Sequence, residues 1–409
     1  MKIAIVGGGL TGLTAARELH EFCKVTVFEP GWLGGLASSY CSKDYCIEKF
    51  YHHCFRGDEQ LLELIRELRL SHKLEWRVAR VGCELNGRIY PLNTPVEILR
   101  YPGMTFTDKF KLSLFTLRSR NRDYETFDDV DVTEGVRREL GEGLYRRFFH
   151  PLLRGKFGEN YGHVSYAWLL ARVAIRSNRT MKGEELGYLR GGFHQLIERL
   201  AEGLEIRKER AEIRKNGSWN VNGDEYDVVI YTAPLPELDD SIMVEAGIQD
   251  VRYQSSVCCL IGSENTITDD IYWINLNSEA IFGAIIEHTH FMPFEDYGEH
   301  IIYLAGYTTP ESSLMSMDKD EVARAFLKDA EKFGLRKEDV RWVKVFRAKY
   351  SGPIYEKGYL KKITPYVTSL PGLYIAGMTS KPNYPERSMN GSITAGKEVA
   401  KHVIQDYFT

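Results

Sequence analysis

The chain lacks any run of the roughly 18 apolar residues needed to span a bilayer, and its mean hydropathy of −0.32 fits that lack. It also lacks a dominant charge: 53 Lys and Arg stand against 57 Asp and Glu in 409 residues, a net charge of −4. No global basic field gathers nucleic acid, so no nucleic-acid partner is expected and any anion site must be local. Fixed-period repeats and low-complexity linkers are missing too, which excludes a solenoid and beads on a string. Cysteine is sparse. The seven (Cys23, Cys41, Cys46, Cys54, Cys83, Cys258 and Cys259) are odd in number and form no CxxC pair, which reads as reduced, mostly buried thiols in a cytoplasmic protein. The opening MKIAIVGGG reads as a strand, since glycine interrupts it before a signal-peptide core forms. What the chain has in quantity is glycine (36) and aromatics (24 Tyr, 19 Phe, 6 Trp). Glycine lets backbone approach ligands, and aromatics build apolar walls.

Periodicity gives an opening βαβ unit: a strand over Lys2 to Val6, a helix over Leu10 to Phe22 and a strand over Lys24 to Glu29. Asn86-Gly87 reads as a two-residue hairpin turn. From Thr94 to Arg176 the pattern is helical, and a helix at Gly192 to Ala201 precedes a buried strand at Tyr226 to Thr232. Between Val251 and Tyr307 the strand candidates Ser256 to Ile261, Ile271 to Leu276, Ile281 to Glu287 and Ile301 to Leu304 follow one another without helices, which implies an antiparallel layer. A helix at Glu321 to Phe333 has a capping-box pattern, Asp318 with Glu321. Leu373 to Ala376 and Ser392 to Val403 end the chain as strand and helix. The expected fold class is α/β plus α+β, with a nucleotide domain assembled from discontinuous blocks, 1–80, 186–248 and 345–409. A substrate domain of antiparallel sheet and helices takes 81–185 and 249–344.

Gly7, Gly9 and Gly12 form GxGxxG between a strand and a helix. The three suit a tight turn, a pyrophosphate against bare backbone and close helix packing, with the helix N-terminus facing the anion. Glu29 ends the next strand 22 residues after Gly7, where a carboxylate can accept from ribose hydroxyls. The following Gly34-Gly35-Leu36-Ala37 resembles the second dinucleotide-binding stretch of FAD-dependent amine oxidases, protoporphyrinogen oxidases and carotenoid-type desaturases. Gly372 to Gly377 and Asn390 to Gly396 resemble the strand, loop and helix that close the flavin site there. The resemblance implies a Rossmann-like domain with FAD held by Gly7, Gly9, Leu10, Thr11 and Gly12, by Glu29, by Gly34, Gly35, Leu36 and Ala37, and by Gly377, Met378, Asn390, Gly391 and Ser392. Met378 departs from the pattern, because many members carry an acidic residue there.

The same resemblance implies hydride transfer from a small organic molecule to flavin N(5). Two other activities share the scaffold: a flavin-dependent sugar mutase similar to UDP-galactopyranose mutase, and a non-enzymatic binder similar to the GDP-dissociation inhibitors. His53, His288 and Lys349 are the candidates for chemistry, Lys349 because amine oxidases often place a lysine near N(5). His52 and His53 should point to opposite faces of a strand, and no metal site is expected from them. His288 and His290 share a face if their segment is extended. His52, Arg190, Arg347, Tyr350 and Arg387 are candidates for holding substrate, the arginines through an anionic group. Ile98 to Arg118 mixes basic and aromatic residues; it reads as packing within a helical cap, with peripheral membrane contact as the other reading.

Overall fold

The computed structural model describes residues 1–175 and 183–408. Among these, two sheets set the architecture. The first has five parallel strands in the order Leu373–Ile375, Val228–Tyr231, Lys2–Val6, Lys24–Phe28 and Glu205–Arg207. Its inner strands are short β-branched runs, buried on both faces as a parallel sheet requires: Ile3, Ala4, Ile5, Val228, Val229 and Ile230 are fully buried. The helix Leu10–Leu19 follows the first strand at once, and shares its core with the C-terminal helix.

That last helix runs Met389–Tyr407, longer than the expected Ser392 to Val403. Ser388 caps it by accepting from the Gly391 amide at 2.9 Å, so Asn390, Gly391 and Ser392 lie in its first turn and not in a loop. It crosses the Leu10–Leu19 helix at Gly396, where a Cβ would sit 2.6 Å from the Thr11 carbonyl oxygen. Only glycine permits that approach.

The second sheet has seven strands, in the order Val340–Pro353, Tyr253–Ser263, His300–Thr308, Ala284–Glu287, Trp273–Asn275, Val81–Leu85 and Arg88–Pro91. The pairs within 253–353 are antiparallel as expected, but Trp273–Asn275 meets Val81–Leu85 in parallel. The hairpin at Asn86-Gly87 forms, with φ of +53° and +75°. Lys349 and Tyr350 lie inside the long Val340–Pro353 strand and do not follow it. Asp318 caps the helix Lys319–Glu331 through the Asp320 amide at 2.8 Å, not through a box with Glu321.

Residues 95–175 are mostly helical, including Pro95–Arg100, Phe106–Ser119, Val132–Leu140, His150–Phe157 and Tyr166–Ile175. The expected end of this stretch at Arg176 lies outside the described residues. One cysteine expectation is corrected. Cys41 and Cys46 face each other across the antiparallel pair Ser39–Cys41 and Cys46–Glu48 and are joined in a disulfide. Sequence spacing hides this, because the hairpin and not a CxxC turn brings them together; Cys23, Cys54, Cys83, Cys258 and Cys259 remain thiols.

Candidate functional site

A cavity of about 2300 Å³ opens at the carboxyl ends of the parallel strands and continues between the large sheet and the helical region. It exceeds the roughly 300 to 1,000 Å³ of an ordinary ligand pocket, so it has room for a large cofactor and a second molecule. Carboxyl ends of strands in open α/β sheets are where ligands bind.

The first glycine turn forms one wall. Gly7 has φ +108°, and its amide donates to the Phe28 carbonyl at 2.9 Å. Gly9 is extended, caps the Leu10–Leu19 helix without a side-chain bond, and would place a Cβ within 4 Å of nothing. It lines the cavity with Gly7, Leu10 and Thr11. Gly12 does not: its Cβ would collide with the Gly7 carbonyl, so it sits behind the turn as a packing residue. The Glu29 carboxylate accepts from the amides of Gly8 and Gly31, both at 2.8 Å, which fixes it at the rim. Gly34 donates to the Gly8 carbonyl at 2.8 Å, tying the second stretch to the first turn. Gly34, Gly35, Leu36 and Ala37 then line the same wall.

At the other end Gly377, Met378, Asn390 and Ser392 line the cavity, while Gly391 packs against Pro382 and Asn383 and stays behind it. Glu386, the nearest acidic side chain in sequence to the Met378 segment's loop, is taken up by Arg172 at 3.0 Å.

The chemistry candidates separate. His52 and His53 are not on a strand with opposed faces; the segment lies outside regular structure and both residues line the cavity. His52 Nδ1 bonds the Phe50 carbonyl at 2.5 Å, and burial, against that bond, brings its imidazole down to about 4. His53 packs on Phe55 and approaches the Tyr272 hydroxyl at 3.5 Å. His288 is corrected: it starts a 3-10 turn, not a strand, lies outside the cavity, and shares a 2.7 Å bond with the Tyr297 hydroxyl among Tyr188, Phe291 and Tyr303. Burial holds it neutral, at about 3. His290 turns instead to the Thr268 carbonyl at 2.8 Å.

Arg190 is also corrected, since it is exposed, off the cavity, and bidentate on Asp296 at 2.6 to 3.1 Å. Arg347 borders the cavity, but its guanidinium donates to the Met317 carbonyl. Lys349 and Tyr350 border it too, Lys349 exposed with its ammonium 5.2 Å from the Tyr350 ring. Arg387 lines it with no carboxylate paired to it among the described residues.

Sequence reasoning missed the cluster around Arg387. Tyr51 and Tyr307 share a 2.5 Å hydroxyl contact, and the Lys156 ammonium donates to Tyr307 at 3.4 Å. Burial raises the Tyr307 phenol, yet Lys156, Arg387 and the Tyr51 bond outweigh it and leave it below its ordinary value. Burial also lowers Lys156. The members come from residues 51, 156, 307 and 387, so no local spacing announces them. Lys49 is a further cavity cation, nine-tenths buried, 4.3 Å from the Trp32 ring centre, and lowered by burial to about 8.

A glycine turn at a parallel sheet's carboxyl edge, opening on so large a space, defines a protein that holds a large organic cofactor beside a substrate. The chain belongs to the flavin containing amine oxidoreductases, whose family model matches residues 10–404, and FAD is its cofactor. A curated coproporphyrinogen III oxidase of Propionibacterium freudenreichii subsp. freudenreichii is 28% identical over 184 residues, 40% of this chain and 33% of that protein. The match thus spans a third of the relative's length. Among solved structures, a protein of Exiguobacterium sp. 255-15 described as a candidate protoporphyrinogen oxidase superposes with a TM-score of 0.78 at 21% identity, covering 99% of each chain. Reduced UDP-galactopyranose mutase gives 0.74 at 19%, covering 100% of this chain and 96% of that one. Putrescine oxidase bound to putrescine gives 0.69 at 14%, covering 99% of each. These likenesses establish the fold: mixed α/β, with parallel and antiparallel sheets.

Proposed function

We propose that the chain is an FAD-dependent oxidoreductase acting on a small organic substrate that carries an anionic group. When bound, FAD supplies the acceptor for a hydride removed from the substrate. The parallel sheet is read as a Rossmann-like domain built from 1–80, 186–248 and 345–409, with 81–185 and 249–344 holding substrate. The cradle fits the cofactor: Gly9 presents bare backbone to open space, and the helix amides behind it are uncapped by side chains. Gly7, Leu10 and Thr11 surround the pyrophosphate position, Glu29 faces the ribose, and Gly34 to Ala37 close over them. Gly377, Met378, Asn390 and Ser392 form the opposite end, where the helix N-terminus favours negative charge. Gly12 and Gly391 act by packing.

One observation carries the anionic substrate: Lys156 and Arg387 both face the cavity beside Tyr51 and Tyr307, neither lies in an ion pair among the described residues, and the neighbouring Glu386 carboxylate is held by Arg172 at 3.0 Å. Cations without an ion-pair partner on a partly dry wall favour a negative ligand group. His52, neutral with one ring nitrogen held by Phe50, and His53 can accept or relay a proton from the same space. The test is anaerobic bleaching of the bound flavin by amines, tetrapyrroles, polyenes and nucleotide sugars. Bleaching by an acid-bearing member, weakened at least tenfold in apparent affinity by Arg387→Gln, supports the reading; protein that cannot take up FAD sinks it.

The same cations and paired tyrosines favour a second reading, a sugar mutase whose substrate presents a diphosphate. It predicts turnover of a nucleotide sugar only after the flavin is reduced, with no net consumption of reductant.

A further inference from the structure

Among the described residues, fifteen large apolar side chains are exposed, and six of them fall between Val96 and Leu117. On the helix Phe106–Ser119 they are Phe106, Phe110, Leu114 and Leu117, exposed by 77, 66, 37 and 61%. Spacings of four, four and three residues put all four on one face. The opposite face is already satisfied: Phe115 is buried, Leu112 packs on the core beneath, and Asp108 is buried against Arg147 at 2.5 Å. The outward stripe is therefore additional to cap packing. Val96 and Leu99 of the preceding helix Pro95–Arg100 extend it, at 54 and 56% exposure. The Lys109 ammonium joins the two helices by donating to the Leu99 carbonyl at 2.7 Å.

Charge surrounds this stripe in a one-sided way. Residues 95–120 carry five basic side chains, Arg100, Lys109, Lys111, Arg118 and Arg120, and two acidic, Glu97 and Asp108, already paired with Arg80 and Arg147. Around the helix axis Lys109 borders the stripe on one side, and Lys111 and Arg118 border it on the other. The net charge of the chain is −4, so the basic rim is local and gives the molecule an orientation in a negative field. Among the described residues no helix is long and apolar enough to cross a membrane.

We propose that this face docks on an anionic phospholipid surface, with the phenylalanines and leucines entering the acyl boundary and the basic side chains reaching the headgroups. A water-soluble partner protein would need an acidic rim around an apolar groove; a bilayer supplies both chemistries over an unlimited flat area. The docking rests on the two helices alone and is independent of the flavin reading.

The test is co-sedimentation of the flavin-loaded protein with vesicles of phosphatidylglycerol and phosphatidylcholine in equal parts, against phosphatidylcholine alone. Partition into the anionic vesicles is expected to fall about 100-fold in the Phe106→Ser/Phe110→Ser double variant. It should also fall with salt and in Lys111→Glu/Arg118→Glu. Melting temperature and flavin content should not move, because all four side chains are exposed. Wild-type protein that stays in the supernatant overturns the proposal. So does undiminished partition of the double variant, or a wild-type dimer that the double variant splits without change in vesicle binding, which would assign the face to a second copy.

Discussion

Replacing Gly9 by alanine separates a glycine kept for a ligand from one kept for the fold. The residue has φ −75° and ψ −179°, a conformation alanine adopts freely, and its added Cβ would meet nothing within 4 Å. Without cofactor the change should be neutral or should stabilise by about 0.4 to 1 kcal/mol, through the lower entropy of the unfolded chain. With cofactor, the methyl group stands where the pyrophosphate approaches the backbone. An overpacked contact of that kind costs about 1 to 3 kcal/mol, so FAD affinity should fall roughly 5- to 150-fold. Gly12→Ala reverses the pattern. Its methyl group collides with the Gly7 carbonyl and lies 2.7 Å from the Thr232 hydroxyl, which donates to the Val6 and Gly7 carbonyls at 3.0 Å each. That backbone cannot move without breaking both bonds, so the apoprotein itself should lose about 1 to 3 kcal/mol, less any helix-propensity gain. Calorimetry of apoprotein and fluorescence titration with FAD measure the two quantities separately. An apo Gly9→Ala protein that melts as low as Gly12→Ala, or that binds FAD like wild type, refutes the reasoning.

Burial raises the Asp58 carboxyl from 3.8 to about 6. A folded-state value above the unfolded one means stability from this group is greatest below pH 4 and is lost as pH rises through 6, by about 3 kcal/mol. Asp58→Asn keeps an acceptor for the Phe55 amide, so urea melts should show it more stable at pH 7 and flatter from pH 4 to 6. His288 titrates the other way: burial takes it from 6.5 to about 3, so stability is lost as pH falls below 6.5, on the order of 5 kcal/mol by pH 3. His52 acts in the same direction. His288→Gln keeps a partner for Tyr297 and should shallow the acid limb of the stability curve without changing flavin reduction. Lys156→Met removes a cation that holds the Tyr307 phenol down; alkaline tyrosinate absorbance should show one phenol moving up, together with weaker binding of the anionic substrate.

The dinucleotide end was legible because it is written in contiguous stretches. Gly7 to Gly12 turn a strand into a helix, Glu29 follows the next strand and Gly34 to Ala37 form a 3-10 turn close behind it, so periodicity and glycine placement suffice to read them. The strands expected at Ser256 to Ile261 and Ile301 to Leu304 were legible for the same reason, and lie within the longer Tyr253–Ser263 and His300–Thr308. His288 and Arg190 misled because burial and pairing decide their roles, and both depend on distant partners: Tyr297 for one and Asp296 for the other. The sequence of Ile98 to Arg118 left cap packing and membrane contact both open for a related reason. An amphipathic pattern gives two apolar arcs, and only the fold decides which arc the core takes.

The two ends of the cavity are built from different material, and this decides what substitutions there can change. The end proposed for the cofactor is mostly main chain: Gly7, Gly9, Gly34, Gly35 and Gly377 offer bare backbone, and Glu29 is fixed by the amides of Gly8 and Gly31. Main-chain geometry survives most side-chain replacements, so this end can stay constant while sequence drifts. The other end consists of long side chains from four separated segments, Tyr51, Lys156, Tyr307 and Arg387. Each is replaceable without disturbing a glycine turn, and each sets charge or proton position in the space beside the cofactor. One scaffold can therefore act on a cationic amine or an acidic substrate by exchanging these side chains alone. In this chain Lys156 and Arg387 lie in no ion pair among the described residues, and Glu386, the carboxylate beside them in the lining, is held by Arg172. This is the ground of the proposed anionic substrate: at this end a protonated amine would be repelled by both cations, whereas an acid or a phosphate would be drawn in.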